Sequence, residues 1–276
     1  MKIIENEEQK KIMIEILKYF DSVCRKNSIH YSLIGGSLIG AIRHKGIIPW
    51  DDDIDVVLTK TNYDEIIKVL KEDKNSRYKL LTNETCKDYY FPFPKLVDTQ
   101  TYVIEPMSLK KIEEYGVYID IFCYSNISDD KKKRIKTVRK IKLLNRLISR
   151  RKIDLKKLSI GKAFVGVVRN TVSLLIGQKR LLKMIYKIFD DNKNLKSKYV
   201  VSNWPIYADE KEIQLSKNLN DYIDVKFENI NAMIFKNYDD ILKTTFGDYM
   251  KLPPEDKRVC HGLIAYWRED NEQPKK

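Results

Sequence analysis

The sequence predicts a mixed α/β (α+β) protein in which a β-sheet core carries a basic helical insertion. Two observations support this fold class. Helical and strand-like hydrophobic patterns alternate along residues 1–128, which is typical of a mixed sheet packed against helices. From residue 129 to about 198 the pattern changes to basic helical segments, and mixed elements return over 199–276. We therefore predict a core over 1–128, a helical insertion or subdomain over 129–198, and a C-terminal part over 199–276 that completes the core.

Composition excludes several classes of protein. Of the 276 residues 43% are hydrophobic, with only 10 Gly and 8 Pro, so the chain is neither disordered nor collagen-like. No run approaches the ~20 apolar residues of a membrane-spanning helix. The longest candidate, 163–176, is interrupted by Arg169 and Asn170, so it can lie on a membrane but is not expected to cross one. Four scattered cysteines without a CxxC pair predict reduced thiols and hence a cytoplasmic protein.

The first elements predict a corner of the kind that binds anions. Hydrophobic spacing indicates a helix over 8–26, a strand over 29–34 and a short helix over 38–43. The strand and the short helix are joined by Gly35, Gly36 and Ser37. Backbone N–H groups and the helix dipole converge where a strand turns into a helix through small residues. The turn is therefore a candidate phosphate-binding site.

A cluster of acidic residues precedes the next predicted strand. Its sequence is Asp51-Asp52-Asp53-Ile54-Asp55, and acidic and apolar residues alternate from Asp53 onward. On a strand this alternation places Asp53 and Asp55 on one face while Ile54 points into the core. Carboxylates held so close repel one another, which favours protonation of one of them or a cation among them. A solvent-exposed acidic loop is the alternative.

A second strand-borne carboxylate follows at Asp120, inside the apolar run 116–122. A charge in such a strand is costly unless it is paired, bound to a metal or protonated. Mg²⁺ prefers oxygen ligands and binds substrate phosphates as well, so Asp53, Asp55 and Asp120 are candidate ligands of Mg²⁺ or Mn²⁺. The alternative for Asp120 is a position facing solvent or an ion pair with a lysine.

The positive charge of the chain is concentrated in one segment. The net charge is +13, and residues 131–152 contain 12 Lys and Arg and no acidic residue. At helical spacing this segment presents a basic face, which suits an anionic membrane surface or a polyanionic glycan. The opposite face is apolar and contains Ile135, Val138, Leu143, Leu144, Leu147 and Ile148. The alternative is a helix packed on the core with a solvated basic face.

Three stretches of the sequence together resemble the LicD family, relatives of fukutin and the fukutin-related protein. They are residues 32–56, which contain the glycine turn and the acidic cluster, 118–122, and the ending 246–254. The resemblance implies a nucleotidyltransferase-type mixed β-sheet core. It also implies transfer of a phospho-alcohol, most often phosphocholine from CDP-choline, to a hydroxyl of a cell-surface glycan or its lipid-linked precursor. Such glycans include teichoic acid, capsule and lipopolysaccharide.

The resemblance and the chemistry of the side chains together give expected roles for single residues. Asp53, Asp55 and Asp120 match the catalytic and metal-binding carboxylates of the wider nucleotidyltransferase superfamily. Residues expected to contact substrate are Gly35, Gly36, Ser37, Arg43, Trp50, Asp51, Lys95 and His261. The turn and the two cations would bind donor phosphates, and the Trp50 ring would contact a quaternary ammonium group. The expected partners are a CDP-linked alcohol, a glycan acceptor and an anionic membrane surface at 131–152.

Two other functions remain open at this stage. One is a nucleotidyltransferase that adds a nucleotide to RNA or to a small molecule, which the full match over 49–55 disfavours. The other is a non-catalytic basic adaptor that uses residues 131–152. Nucleic acid is not an expected partner, because the basic residues form one segment and the centre of the motif is acidic. Choline, ribitol and glycerol remain alternatives for the transferred alcohol. A cytoplasmic protein, peripheral on the inner face of the membrane, is the expected location.

Overall fold

The computed structural model describes residues 2–150, 152, 159–192, 194–258, 260 and 262–269. It confirms the mixed α/β fold. The helices are α1 (Asn6–Lys26), α2 (Gly35–Ile39), α3 (Lys60–Glu72), α4 (Lys131–Ile148), α5 (Ile160–Ile176), α6 (Gln178–Asn192) and α7 (Tyr238–Phe246). The strands are β1 (Lys2–Ile4), β2 (Ser32–Leu33), β3 (Asp55–Thr59), β4 (Tyr78–Leu81), β5 (Lys95–Asp98), β6 (Thr101–Ile104), β7 (Tyr118–Ile127), β8 (Tyr199–Ser202), β9 (Ile213–Leu215), β10 (Tyr222–Phe227), β11 (Ile230–Phe235) and β12 (Ile264–Trp267).

The main sheet is organised around the long strand β7. Strands β3 and β7 run parallel, and β5 and β8 pair antiparallel with successive halves of the other edge of β7. Strands β2, β4 and β9 extend this sheet, while β1, β12 and β6 form a small second sheet and β10 and β11 a hairpin. Strands β1 and β12 lie far apart in the sequence, and their pairing joins residues 2–4 to residues 265–267.

The core lies between the main sheet and the helices that pack on it. Helix α1 contributes Ile16, Leu17 and Phe20, all fully buried, and packs against β7 and β5. Helix α3 packs on β3 and β7. The predicted helix over 8–26 is thus confirmed, whereas the strand predicted over 29–34 is only two residues long. The start predicted for the short helix over 38–43 is wrong: α2 begins at Gly35, within the glycine turn, and continues into a π-helical turn over Gly40–His44.

Helix α4 packs on the core through its apolar face and exposes its basic face. Its buried apolar residues are Val138, Ile141, Leu144, Leu147 and Ile148. The inclusion of Leu143 in the apolar face is wrong, since this side chain is 57% exposed among the basic residues. Lys142 and Asn145 donate hydrogen bonds to the carbonyl oxygens of Pro205 and Asn203, at 3.0 and 3.2 Å. Helix α4 therefore packs on the core with its basic face directed outward, and contact of that face with a membrane stays a prediction.

Helix α5 differs from α4 in what it buries. Within α5 only Ala163 and Ser173 are buried, and most of its large apolar side chains face outward. Among the described residues, no single helix has the length and hydropathy of a membrane span, but α5 and α6, bent by 86° at Gly177, pass that test together. The domain boundaries at 128 and 198 stay a prediction, with α4, α5 and α6 lying between β7 and β8.

Candidate active site

A cavity of about 530 Å³ lies at the ends of β3, β5 and β7. The carboxylates that line it are Asp51, Asp53, Asp55, Glu105 and Asp120. The aromatic rings that line it are Tyr90, Phe91, Phe93, Tyr118, Phe122 and Trp204. The motif carboxylates and an aromatic surface therefore share one space.

Strand register brings the predicted carboxylates together. Asp55 at the start of β3 lies opposite Asp120 on the parallel strand β7. Asp120 in turn lies opposite Lys95 on β5. The flanking Ile54 and Val56 are fully buried, as the alternation of acidic and apolar residues predicts. The sheet thus fixes two acidic side chains and one basic side chain side by side.

Lys95 forms a buried ion pair with Asp120. Its Nζ lies 2.5 Å from Asp120 Oδ1, and Lys95 is only 2% exposed. Four aromatic rings surround the ammonium group, with centroids 3.5 Å (Tyr118), 4.6 Å (Phe91), 5.3 Å (Phe93) and 5.6 Å (Tyr115) from Nζ. Cation–π attraction stabilises a cation in such a place. The alternative for Asp120 was solvent exposure or an ion pair with a lysine, and of these two the ion pair is observed.

Burial and mutual repulsion change the acidity of these carboxyl groups. Burial raises the pKa of Asp120 to about 6, although the Lys95 ammonium opposes the increase. Burial raises the pKa of Asp55 well above its usual range, and the charges of Asp53, Asp120 and Asp51 raise it further. The cavity therefore disfavours an additional negative charge and favours a cation.

The glycine turn approaches these carboxylates closely. Gly35 has φ = +61°, a conformation that favours glycine, and a Cβ on Gly36 would overlap Asp51 Oδ2. Ser37 is buried, and its Oγ accepts a hydrogen bond of 2.9 Å from the Asp55 backbone N–H. Gly36 lines the cavity, whereas Ser37 positions the start of β3.

The Asp52 side chain makes different contacts from the rest of the acidic cluster and does not line the cavity. Its side chain is buried, and Oδ2 accepts hydrogen bonds from the backbone N–H groups of Gly262 and Leu263 at 3.1 and 3.4 Å. Asp52 therefore connects the acidic loop to the C-terminal segment, while Asp51, Asp53 and Asp55 face the cavity. The expectation of a solvated acidic loop does not describe this cluster.

Arg43 and Trp50, also predicted to contact substrate, lie outside the cavity lining, as Gly35 and Ser37 do. Arg43 donates hydrogen bonds to the carbonyl oxygens of Tyr249 and Lys251, at 2.6 and 3.3 Å. The Trp50 ring packs against the Arg258 guanidinium at 5.0 Å and edge-on to His44. Both side chains thus attach the motif to the C-terminal segment. The prediction for His261 lies outside the described residues.

The sequence patterns did not single out the aromatic part of the cavity or Glu105. Glu105 accepts hydrogen bonds from the hydroxyl groups of Tyr115 and Tyr90, at 2.7 and 3.3 Å. The signal for the rings was present in the run Tyr-Tyr-Phe-Pro-Phe-Pro over 89–94, just before Lys95. Trp204 has no such local signal, because it follows strand β8 and is far from this run in the sequence.

The carboxylates fit a hard divalent cation by their chemistry. Mg²⁺ commonly takes one or two protein carboxylates and completes its shell with water and substrate phosphate. Asp53 and Asp55 offer such a pair, whereas Asp120 is paired with Lys95. In the part of the chain that the structure describes, no group of three or more His, Cys, Asp or Glu side chains is arranged to hold a metal ion. Asp53, Asp55 and Asp120 as ligands, and Mg²⁺ or Mn²⁺ as the metal, stay predictions.

Comparison with known proteins adds independent evidence. The family model described as LicD/FKTN/FKRP, nucleotidyltransferase domain, matches residues 28–143. The chain is 30% identical over 272 residues to the lipopolysaccharide cholinephosphotransferase LicD of Haemophilus influenzae, covering 95% of this chain and 98% of that protein. An uncharacterized protein of Rickettsia typhi is 28% identical over 121 residues, which cover 41% of this chain and 36% of that protein. Similarity along almost the whole chain, together with the motif carboxylates in one cavity, shows that the protein is a transferase that belongs to the LicD family.

Proposed function

We propose that this protein transfers phosphocholine from CDP-choline to a hydroxyl group of a cell-surface glycan or of its lipid-linked precursor. The observation that carries the proposal is the 30% identity to a lipopolysaccharide cholinephosphotransferase over 98% of that relative. The cavity supports it, because one space contains both carboxylates and aromatic rings. A CDP-choline donor has a diphosphate, which a cation held by the carboxylates would bind, and a quaternary ammonium group, which aromatic rings bind.

In the proposed reaction one P–O bond forms and another P–O bond breaks. The acceptor oxygen forms a bond to the phosphorus that carries choline, and the bond from that phosphorus to the bridging oxygen breaks. CMP leaves with the bridging oxygen, and the proton of the acceptor hydroxyl goes to a carboxylate of the cavity. The protein's main tasks are to position the two substrates and to stabilise the charge of the transferred group.

In this proposal Asp53 and Asp55 hold a divalent cation, Mg²⁺ or Mn²⁺. The cation would neutralise charge on the diphosphate of the donor. Asp55 is held in place through Ser37, and Gly36 leaves room for Asp51 beside it. The close approach of these backbone segments keeps the carboxylate pair directed at the cavity.

Asp120 is the carboxylate that we assign as proton acceptor. Its pKa of about 6 lies near the pH of the cytoplasm, where a general base is most effective. The 2.5 Å contact with Lys95 fixes the orientation of its carboxylate. Lys95 also supplies positive charge beside the phosphates, which deepens its predicted role in substrate binding.

The trimethylammonium group of choline is expected on the aromatic side of the cavity. Trp204 and Phe91 lie at 6.2 Å from one another in an edge-on arrangement, and both line the cavity with Glu105. Quaternary ammonium ions bind to aromatic faces, and a nearby carboxylate adds Coulomb attraction. Trp204 takes the role in the proposal that the sequence suggested for Trp50.

A product assay tests the proposal. Purified protein is incubated with membranes as acceptor and, separately, with CDP-choline, CDP-ribitol, CDP-glycerol or nucleoside triphosphates, with and without Mg²⁺. We expect CMP release from CDP-choline only, dependent on metal. Pyrophosphate release would indicate a nucleotidyltransferase, and CMP from another donor would change the alcohol.

Matched variants locate the reaction. Asp53→Asn is expected to lower turnover by about a thousandfold, equivalent to about 4 kcal/mol of barrier. Asp64→Asn makes the same chemical change on α3, at an exposed carboxylate paired with Lys60, and should leave turnover unchanged. Equal activity of the two variants would contradict the assignment of Asp53 to the site.

A further inference from the structure

Helix α5 presents a broad apolar face to the outside of the molecule. Its most exposed members are Ile160 at 91%, Leu175 at 78% and Phe164 at 68%. Val165, Val168 and Leu174 extend the same exposed surface. Contiguous exposed apolar side chains, as opposed to single scattered ones, are typical of interaction sites.

The arrangement of α5 is the reverse of a soluble surface helix. The two residues that it buries against the protein, Ala163 and Ser173, are small, and the large apolar residues recur on the outer side at spacings of three and four. Helices α4 and α6 both contact α5. The inner side is therefore already covered by this chain, and only the outer side is available to a partner.

Basic residues far outnumber acidic ones in the helical region that contains α5. Residues 131–192 contain 20 Lys and Arg and three acidic residues, Asp154, Asp190 and Asp191. On α4, which packs against α5, Lys136, Arg139 and Lys140 are exposed. An apolar helix face beside exposed basic residues is the combination that binds the interface of an anionic bilayer.

We propose that α5 and the basic face of α4 dock this protein on an anionic membrane, with α5 lying in the headgroup region. The outer apolar side chains of α5 enter the acyl boundary while the basic side chains contact lipid phosphates. Docking in this way would hold the cavity near a lipid-anchored acceptor. The surface itself does not depend on the proposed reaction, since none of its residues lines the catalytic cavity.

Vesicle flotation with the full chain tests this inference. The vesicles contain phosphatidylcholine alone or phosphatidylcholine with phosphatidylglycerol. We expect flotation with the anionic vesicles and its loss at high salt, because salt screens the basic residues. Phe164→Asp is expected to lower the partition coefficient at least about tenfold, as it removes a buried apolar contact with lipid. Ile3→Asp, at an exposed isoleucine on β1, is the matched control and should float like the wild type.

A second variant tests the charges separately. Replacing Lys136, Arg139 and Lys140 by Gln is expected to weaken binding by about fivefold for each charge removed. Replacement of Lys226 and Lys236, both exposed in the C-terminal part, by Gln should have a much smaller effect. Turnover on a soluble acceptor fragment, measured without vesicles, should be equal in all these variants, so failure of docking is distinguishable from failure of the proposed reaction.

Three results would overturn the inference. The first is the absence of flotation with anionic vesicles. The second is a dimer that Phe164→Asp separates while the wild type ignores vesicles, since the apolar face would then cover a second copy. The third is resistance of the vesicle-bound protein to alkaline carbonate, which would mean that α5 and α6 insert across the bilayer.

Discussion

The cavity and the helical region 131–192 use charge in opposite ways. In the cavity, charged side chains of both signs lie close together, and Lys95 and Asp120 form an ion pair that is almost completely withdrawn from solvent. On α4 most of the basic side chains face solvent, and nearby carboxylates are few. Buried charges with fixed neighbours have shifted pKa values and defined positions, whereas exposed charges contribute mainly a long-range field. We therefore assign catalysis to the cavity and docking on the membrane to the helical region.

The largest expected effect is on the buried ion pair. Lys95→Met leaves the Asp120 carboxylate without its cation and is expected to lower the free energy of unfolding by about 3 kcal/mol or more. Urea denaturation at neutral pH measures the loss. Turnover should fall as well, because Asp120 loses its orientation.

Two further variants separate the causes. Lys95→Met combined with Asp120→Asn should recover much of the stability but not the turnover, since the uncompensated charge is gone and the carboxylate with it.

Arg77→Met removes the partner of another buried carboxylate, Asp98, away from the cavity. It should lower stability and leave turnover per folded molecule intact; a loss of turnover there would weaken the comparison.

The next effect in size concerns Glu212, a buried carboxyl group near Lys142 of α4. Burial raises its pKa to about 7, opposed by hydrogen bonds from backbone N–H groups and by Lys142 of α4. A carboxyl group whose pKa is raised on folding makes the folded state less stable as pH rises through the interval between the two pKa values. The wild type should therefore lose stability between about pH 4.5 and pH 7 from this group.

Glu212→Gln should remove that loss while keeping an oxygen that can accept the 2.6 Å hydrogen bond from the Tyr207 N–H. We expect the variant to equal the wild type near pH 5 and to exceed its free energy of unfolding by on the order of 2 kcal/mol at pH 8. Denaturant titrations across this pH range measure the difference. A difference that is independent of pH would show that the carboxyl group is not the cause.

A smaller effect is expected at the glycine turn. In Gly36→Ala the new Cβ displaces the Asp51 side chain, which can move, so stability should fall by only about 1 kcal/mol. Turnover should fall by about tenfold or more, because Asp51 lines the cavity. Gly161→Ala on α5, where a Cβ meets nothing within 4 Å, is the control and should leave turnover unchanged.

Much of the fold could be predicted because local pattern and burial agree. The alternation of acidic and apolar residues predicted β3, which begins two residues later, at Asp55, and the helical spacing over 8–26 predicted α1, which spans Asn6–Lys26. The orientations of Leu143 and of the apolar face of α5 were harder to predict. Apolar side chains mostly face inward on α4 but outward on α5. Which way a hydrophobic face points depends on neighbouring elements that come from distant parts of the chain.

The site was predictable where one short motif contains it. Asp53, Asp55 and Gly36 lie within one motif and reach the same cavity. The partner of Asp120 was not predictable, because Lys95 meets it through strand pairing across 25 positions of sequence. Arg43 resembles a phosphate ligand in sequence yet donates to the carbonyl oxygens of Tyr249 and Lys251, more than 200 positions away.

The smallest expected effect on stability is on α4, and it completes the comparison with Lys95. Replacing Lys136, Arg139 and Lys140 by Gln should change the free energy of unfolding by no more than about 0.5 kcal/mol. A slight gain is expected, because these like charges lie three and four residues apart on one helix face and repel one another. Urea denaturation beside Lys95→Met gives the test. Three cations lost from α4 should then cost less than one lost from the cavity, and a loss above 1 kcal/mol would mean that the basic face of α4 stabilises the fold instead of serving a partner.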